Sequence, residues 1–260
     1  MRKIGINLDA AGAISAEDCV KIIKELGFEA AFITPRPDGQ ILHEAELLAR
    51  AGISLDTIHA PWKGINDIWL SGDAGEMPLG AFEHYVDMCK ETGAPVLIVH
   101  LSSGANPPPV TDIGRARFTK LVDYALGKGI TLAFENQRML SNLAWVFEEF
   151  KEAKNVGFCW DVGHEMCFTA GRRYMPLFGD KLVATHIHDN DCVYDHDYHM
   201  IPFDGKIDFS RVADEIKASG FDGTLMFELI KKHDIYTELT AERYLERAAS
   251  AAKRFRDMLQ

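Results

Sequence analysis

The chain has 260 residues, 47% hydrophobic and 26% charged, enough to enclose a full apolar core as a single domain over 1–260. A net charge of −11 works against polyanionic partners such as nucleic acid, and no apolar run approaches the roughly 18 residues that a membrane helix needs. Five cysteines without a CxxC pair argue against a disulfide framework or a thiolate zinc site and suit the reducing cytoplasm, and the N-terminus shows no export signal.

Eight short apolar runs of β character follow one another: Lys3–Leu8, Ala30–Thr34, Ser54–His59, Pro95–His100, Ile130–Glu135, Val156–Asp161, Leu182–Ile187 and Gly223–Glu228. Segments of helical periodicity lie between them, such as Ala16–Leu26, Pro78–Thr92, Ile113–Gly127 and Leu143–Ala153. Pro78 suits the first position of its helix, where a missing N–H costs nothing. Gly27, Gly52, Gly93, Gly129 and Gly220 each close a periodic segment just before a strand.

Strict alternation implies parallel strands with right-handed crossovers. A closed barrel of eight strand–helix units takes about 250 residues, so a single (β/α)8 TIM barrel is the expected fold. Neither GxGxxG after the first strand nor a phosphate-loop GxxxxGKS/T occurs, so no nucleotide cofactor is expected. Two connections are long, Ala60–Met77 and His188–Ile207, and both leave the C-terminal ends of strands, where barrels of this kind build their sites.

Six of the eight strands end in a histidine or carboxylate, or carry one at the penultimate position: His59, His100, Glu135, Asp161, His186 and Glu228. A parallel barrel gathers these around one axis, where buried acids and imidazoles are costly unless paired. A divalent metal is the simplest shared partner, with Glu135, Asp161, His186 and Glu228 on the last four strands as its core. His164 follows Asp161 at a D-x-x-H spacing that brings both side chains to one side of a site, and Asp161 also suits a helix cap. Alternation puts His186 and His188 on one face, so periodicity alone leaves either as the ligand. Asp197 and His199 form a D-x-H pair in the long seventh loop. Mixed oxygen and nitrogen donors without thiolate suit Mn, Zn, Co, Mg or Fe ions. Trp62 and Trp69, in the third loop, either stack on a substrate or pack the loop, and Arg138 reaches either a substrate group or solvent.

The motifs Leu55-Asp-Thr-Ile-His-Ala, Val99-His, Ala133-Phe-Glu-Asn, Trp160-Asp-Val-Gly-His, His186-Ile-His-Asp-Asn-Asp, Asp197-Tyr-His and Met226-Phe-Glu-Leu resemble, in combination and order, the xylose isomerase-like barrel superfamily. That superfamily includes sugar isomerases and epimerases, inosose-processing enzymes and the endonuclease IV family. The resemblance implies a divalent metal on Glu135, Asp161, His186 and Glu228, which selects the first histidine of H-x-H-D. It further implies that His164 contacts substrate and that Glu135 and Glu228 are the acid–base pair; His59, His100, Trp62 and His188 are expected around the substrate. The implied activity is a metal-dependent sugar or polyol isomerase or epimerase acting through a metal-stabilised enediolate, on a small-molecule substrate, as a single chain or a homo-oligomer.

Two neighbouring activities share these residues. An inosose dehydratase-type lyase would lose a β-hydroxyl from the same enediolate. An endonuclease IV-like phosphodiester hydrolase uses several metals, and its constellation is matched at nine positions: His59, His100, Glu135, Asp161, His164, His186, Asp197, His199 and Glu228. The sequence departs from ketose 3-epimerases, which carry a glutamate where this chain has Ser141 and an arginine where it has Cys192. Against DNA, the seventh loop carries Asp189, Asp191, Asp195, Asp197 and Asp204 with no Lys or Arg before Lys206.

Overall fold

Eight strands follow in chain order: β1 (Ile4–Asn7), β2 (Ala30–Ile33), β3 (Ser54–His59), β4 (Val96–Val99), β5 (Thr131–Glu135), β6 (Val156–Asp161), β7 (Leu182–His186) and β8 (Leu225–Phe227). They belong to a computed structural model that describes residues 1–260 apart from 13, 170 and 171. The strands pair in parallel in the order β7-β6-β5-β4-β3-β2-β1-β8. The remaining seam, between β7 and β8, is joined just beyond β7, where Ile187 N donates to Met226 O at 2.9 Å and Glu228 N to Ile187 O at 3.2 Å. The sheet is thus closed on itself as a single (β/α)8 barrel.

The helices are α1 (Ala16–Glu25), α2 (Asp38–Ala51), α3 (Glu76–Thr92), α4 (Asp112–Lys128), α5 (Leu140–Glu149), α6 (Val162–Phe168), α7 (Met175–Phe178), α8 (Phe209–Ser219) and α9 (Ala241–Met258). Side-chain oxygens start several of them: Ser15 accepts from Asp18 N, Thr111 from Gly114 N, Asp208 from Ser210 N and Thr240 from Arg243 N. The five glycines that precede strands all adopt left-handed φ between 68° and 86°, a conformation that frees the chain to turn back toward the sheet.

Two helix starts differ from the sequence expectation. Pro78 is the third residue of α3, not the first, because two 3₁₀ turns (Ile65–Trp69 and Asp73–Gly75) shorten the third loop and lead directly into the helix. The buried Arg117 of α4 pins that segment by donating to the carbonyls of Ile68, Leu70 and Gly72 at 2.9, 2.6 and 3.1 Å. α5 begins at Leu140, three residues ahead of the periodic segment, and ends at Glu149. Among the described residues no helix is long and apolar enough to cross a membrane.

The barrel interior sets the position of the site. Ile98, Ala133, Cys159 and Ala184, from four consecutive strands, pack as one inner cluster, while Ala30, Phe32 and Met226 form another. At Gly5 an added Cβ would lie 2.7 Å from Met226 Sδ, so β1 gives way there to the methionine that fills the axis. Side chains on a strand alternate, so two residues further on each strand returns to the same face. That step leads from Ile98 to His100, Ala133 to Glu135, Cys159 to Asp161, Ala184 to His186 and Met226 to Glu228. A dry, mostly small-residue layer therefore carries an ionisable layer directly above it, at the C-terminal mouth.

Candidate metal centre and substrate cavity

Donor atoms of Glu135, Asp161, His186 and Glu228 all lie within 4.8 Å of one another. His186 Nδ1 stands between two carboxylates, 3.4 Å from Glu135 Oε1 and 3.2 Å from Glu228 Oε2, and its ring stacks on Phe32 with centroids 4.9 Å apart. His186 and Asp161 are fully buried and Glu135 is 1% exposed. Glu135 Oε1 and both ring nitrogens of His186 are buried without a hydrogen-bond partner among the described residues. Buried polar atoms left unpaired cost about 1–3 kcal/mol each, more when charged, and a cation among them removes that cost. The donor set therefore fits a divalent ion, with three carboxylates and one imidazole.

Two further groups adjoin this core. On one side His59 Nε2 and His100 Nε2 approach Glu135 Oε2 at 3.2 and 2.8 Å. On the other, donor atoms of His164, His188, Asp197 and His199 again lie within 4.8 Å of one another. His199 Nε2 and His164 Nε2 face the same oxygen, Asp197 Oδ2, at 3.1 and 3.5 Å. Backbone carbonyls fix three of the rings, since Nδ1–H donates to Ala60 O in His59 (2.6 Å), to Asn136 O in His164 (3.1 Å) and to Glu228 O in His199 (3.2 Å). A carbonyl only accepts, so in His59 and His199 Nδ1 carries a proton and Nε2 turns toward the centre, the arrangement usual for metal-binding histidines, while His164 Nδ1 also lies 3.1 Å from Glu135 Oε1.

The electrostatics of the cluster lead to the same fit. Burial disfavours the charge on Glu135, yet the imidazoles of His100 and His186 outweigh it and hold the carboxyl well below its ordinary range. Burial likewise opposes protonation of His186, His164 and His199, but neighbouring carboxylates raise all three: Glu228 and Glu135 act on His186, Asp161 and Asp197 on His164. His199, beside Asp197 and Glu228, is raised to about 9. Only His100 is lowered, because burial there exceeds the pull of Glu135. Protons on these imidazoles balance the carboxylates, a task that divalent cations can take over.

Asp161 has two roles, since its Oδ1 caps α6 by accepting from His164 N at 2.6 Å while the carboxylate also faces the core. His188 differs from the expected substrate contact. Its ring is fully buried, Nε2 lies 3.1 Å from both Asp161 oxygens, and it stacks on His199 with centroids 4.0 Å apart. It does not border the cavity. Gly163 makes room for it, because a Cβ there would fall 1.9 Å from His188 Cε1. The glycine of Asp-Val-Gly-His is thus explained by the second histidine of H-x-H-D.

Above the core opens a cavity of about 560 Å³, within the usual range for small-molecule sites. His59, Trp62, His100, Glu135, His164, Asp197, His199 and Glu228 border it. Trp62 is 40% exposed there, whereas Trp69 is buried, donates from Nε1 to Leu101 O at 2.7 Å and packs the third loop. Asn7, Asp9, Thr34, Gln137 and Phe168 also reach the cavity, and sequence reasoning missed them. Gln137 was within reach of the alternation argument, being two residues beyond Glu135, and its amide nitrogen sits 3.2 Å from His100 Nε2 and 3.1 Å from His164 Nδ1. Asp9 gave no such signal because it lies beyond the first strand, and Thr34, last in the run read as the second strand, is neither a carboxylate nor an imidazole.

The seventh loop owes its shape to Asp189. This buried carboxylate accepts from the backbone N–H groups of Asn190, Phe203, Gly205 and Ile207 at 2.8–3.0 Å, which folds the loop back and carries Asp197 and His199 over the mouth. His199 lies in the left-handed region at φ 48°, held there although it is not glycine.

The comparisons with known proteins agree with this architecture. The family described as the xylose isomerase-like TIM barrel matches residues 20–255. An uncharacterized protein, y4fM of Sinorhizobium fredii, is 24% identical over 256 residues, covering 85% of this chain and 80% of the relative. Among solved structures, D-psicose 3-epimerase from Clostridium cellulolyticum superposes with a TM-score of 0.79 at 14% identity, covering 99% of both chains. The 3-keto-D-glucoside 4-epimerase of E. coli superposes with a TM-score of 0.75 at 18% identity, covering 99% of this chain and 100% of the other. The match across nearly its whole length shows that the chain belongs to the xylose isomerase-like TIM barrel family.

Proposed function

We propose that this barrel is a divalent-metal-dependent isomerase or epimerase of sugars or polyols. The observation that carries the reading is the convergence of Glu135 and Glu228 on the same nitrogen, Nδ1 of His186, at the floor of a cavity of small-molecule size. Glu135, Asp161, His186 and Glu228 would hold the ion. When bound, it supplies Lewis acidity toward a substrate carbonyl and the adjacent hydroxyl.

The chain's own groups account for the proton transfer. Glu135 accepts at Oε2 from His100 Nε2, and its Oε1, without a hydrogen bond, faces His164 and His186, while Glu228 keeps 13% of its side chain exposed. Both border the cavity from different strands, so a C–H bond held between them meets a carboxylate on either face. Removal of the proton by one and return by the other inverts the carbon; removal and return by one group, at neighbouring carbons, isomerises the sugar. His164 and Gln137 are placed to orient hydroxyls, and Trp62 offers an edge of the mouth for a sugar face.

A second reading, phosphodiester hydrolysis, is favoured by one observation: the donor groups on either side of the core resemble sites for additional metals. Against it, four carboxylates and only one Lys or Arg among the described residues border the cavity, a poor match to a phosphate backbone. Exchange of a sugar's α-proton with deuterated solvent, by protein loaded with Mn, Co, Mg or Zn, tests the first reading. Failure across a broad panel of sugars and inositols would sink it. Cleavage of duplex DNA at an abasic site would establish the second.

A further inference from the structure

Arg138, in the loop after β5, is the only Lys or Arg among the described residues that borders the cavity, beside four histidines and the acidic Asp9, Glu135, Asp197 and Glu228. Its side chain is 17% exposed, and its guanidinium carbon lies 3.7 Å from the centroid of the Phe168 ring. Phe168 in turn stacks on His164, with centroids 4.6 Å apart. The guanidinium is thus seated over the ring that packs on His164.

Its hydrogen-bonding capacity is mostly unused. Nη2 meets the carboxylate of Asp195, while Nε is buried with no partner among the described residues. Asp195 belongs to the seventh loop, is 60% exposed and sits in the left-handed region at φ 65°. An ion pair with so exposed a carboxylate is weak and readily exchanged. A buried arginine N–H without an acceptor is costly, and the edge presented by Nε and the Nη groups matches the two oxygens of a carboxylate or phosphate.

We propose that Arg138 is the anion-recognition residue of this cavity and that the substrate is a sugar or polyol derivative bearing a carboxylate or phosphate, which displaces Asp195 on binding. This rests on the sugar reading above. Arg138 is the permanently charged donor at that wall, so the anionic substituent is seated there and the uncharged carbons lie toward Glu135 and Glu228.

Calorimetric titration of the metal-loaded protein tests the assignment. The ligands are hexonates, hexuronates, hexose 6-phosphates, their neutral hexose counterparts and inorganic phosphate, applied to the wild type, Arg138→Gln and Asp195→Asn. At least one anionic sugar should bind the wild type about tenfold or more tighter than its neutral counterpart. Arg138→Gln should bring that ratio close to one, and Asp195→Asn, which removes the competing carboxylate, should raise it. The carboxylate and phosphate arms then identify which anion is recognised. A panel with no anionic preference overturns the assignment. So does a preference that survives Arg138→Gln, since the anion would then be held at the metal, or one that Asp195→Asn leaves unchanged. Anion preference that depends on Arg138, in a protein that exchanges no sugar protons, would support the anion site and reject the proposed reaction.

Discussion

Replacing Gly163 by alanine tests how the two halves of the site are joined. The new Cβ would lie 1.9 Å from His188 Cε1 and 2.4 and 2.5 Å from its two nitrogens, so the ring must retreat by about 1.5 Å to regain an ordinary 3.4 Å contact. No free space awaits it, because His188 is fully buried and the His199 ring is stacked 4.0 Å away. Retreat breaks the 3.1 Å contacts of Nε2 with Asp161 and shifts His199. Overpacking costs about 1–3 kcal/mol and a lost charge-assisted hydrogen bond about 1.5–3 kcal/mol, for a combined loss of about 3–5 kcal/mol. Metal affinity should fall about 10–100-fold, as it does when a group that orients a ligand is disturbed. Urea unfolding and chelator competition measure the two effects. The double variant with His188→Ala should recover part of the stability, since the clash is gone, but not the affinity, since Asp161 remains unsupported. Wild-type stability and affinity in Gly163→Ala would refute the reasoning.

Other outcomes follow from the same geometry. Glu135→Gln and Glu228→Gln should each reduce turnover by about 10²–10⁴-fold while circular dichroism remains that of the wild type, and full activity in either variant would remove that residue from the acid–base pair. His199→Ala should lower any metal content above one ion per chain; an unchanged count by elemental analysis would assign His199 to substrate or structure. Metal binding should release protons, because carboxylates raise the metal-free pKa values of His164 and His186 and bring His199 to about 9. Affinity in chelator competition should therefore climb with pH by about tenfold per unit for each proton released, with the His199 contribution levelling off above about 9. The metal-free fold should show the opposite trend. Raised imidazole pKa values stabilise it fully below about pH 6.5, and this contribution is lost as pH rises through about 9, which urea midpoints across that range will show.

The strand ends were legible because two periodicities agree there. An inward-facing small residue such as Ala133, Cys159 or Ala184 announces the face, and the ionisable residue two positions later must share it. The left-handed glycines were legible for a similarly local reason, since a helix stop before a strand has few chemical solutions. What was not legible depends on contacts distant in sequence. Nothing local distinguishes His186 from His188, and only the approach of α6, with Gly163 against the ring, makes the second histidine a support for Asp161. Trp69 read equally as a stacking or a loop-packing residue, and the outcome depends on Arg117, from a helix some fifty residues further on, whose contacts hold that loop in 3₁₀ turns over the buried indole. Asp189 looked like one more acid in a charged loop, yet four backbone N–H groups converge on it and make it the loop's internal anchor.

The central claim is that Glu135, Asp161, His186 and Glu228 form one divalent-metal site, and an anomalous-scattering map of crystals grown with Mn or Zn tests it most directly. A strong peak is expected within about 2.0–2.3 Å of donor atoms from all four residues. A map with no peak among them, from protein that elemental analysis finds free of metal after loading, would contradict it.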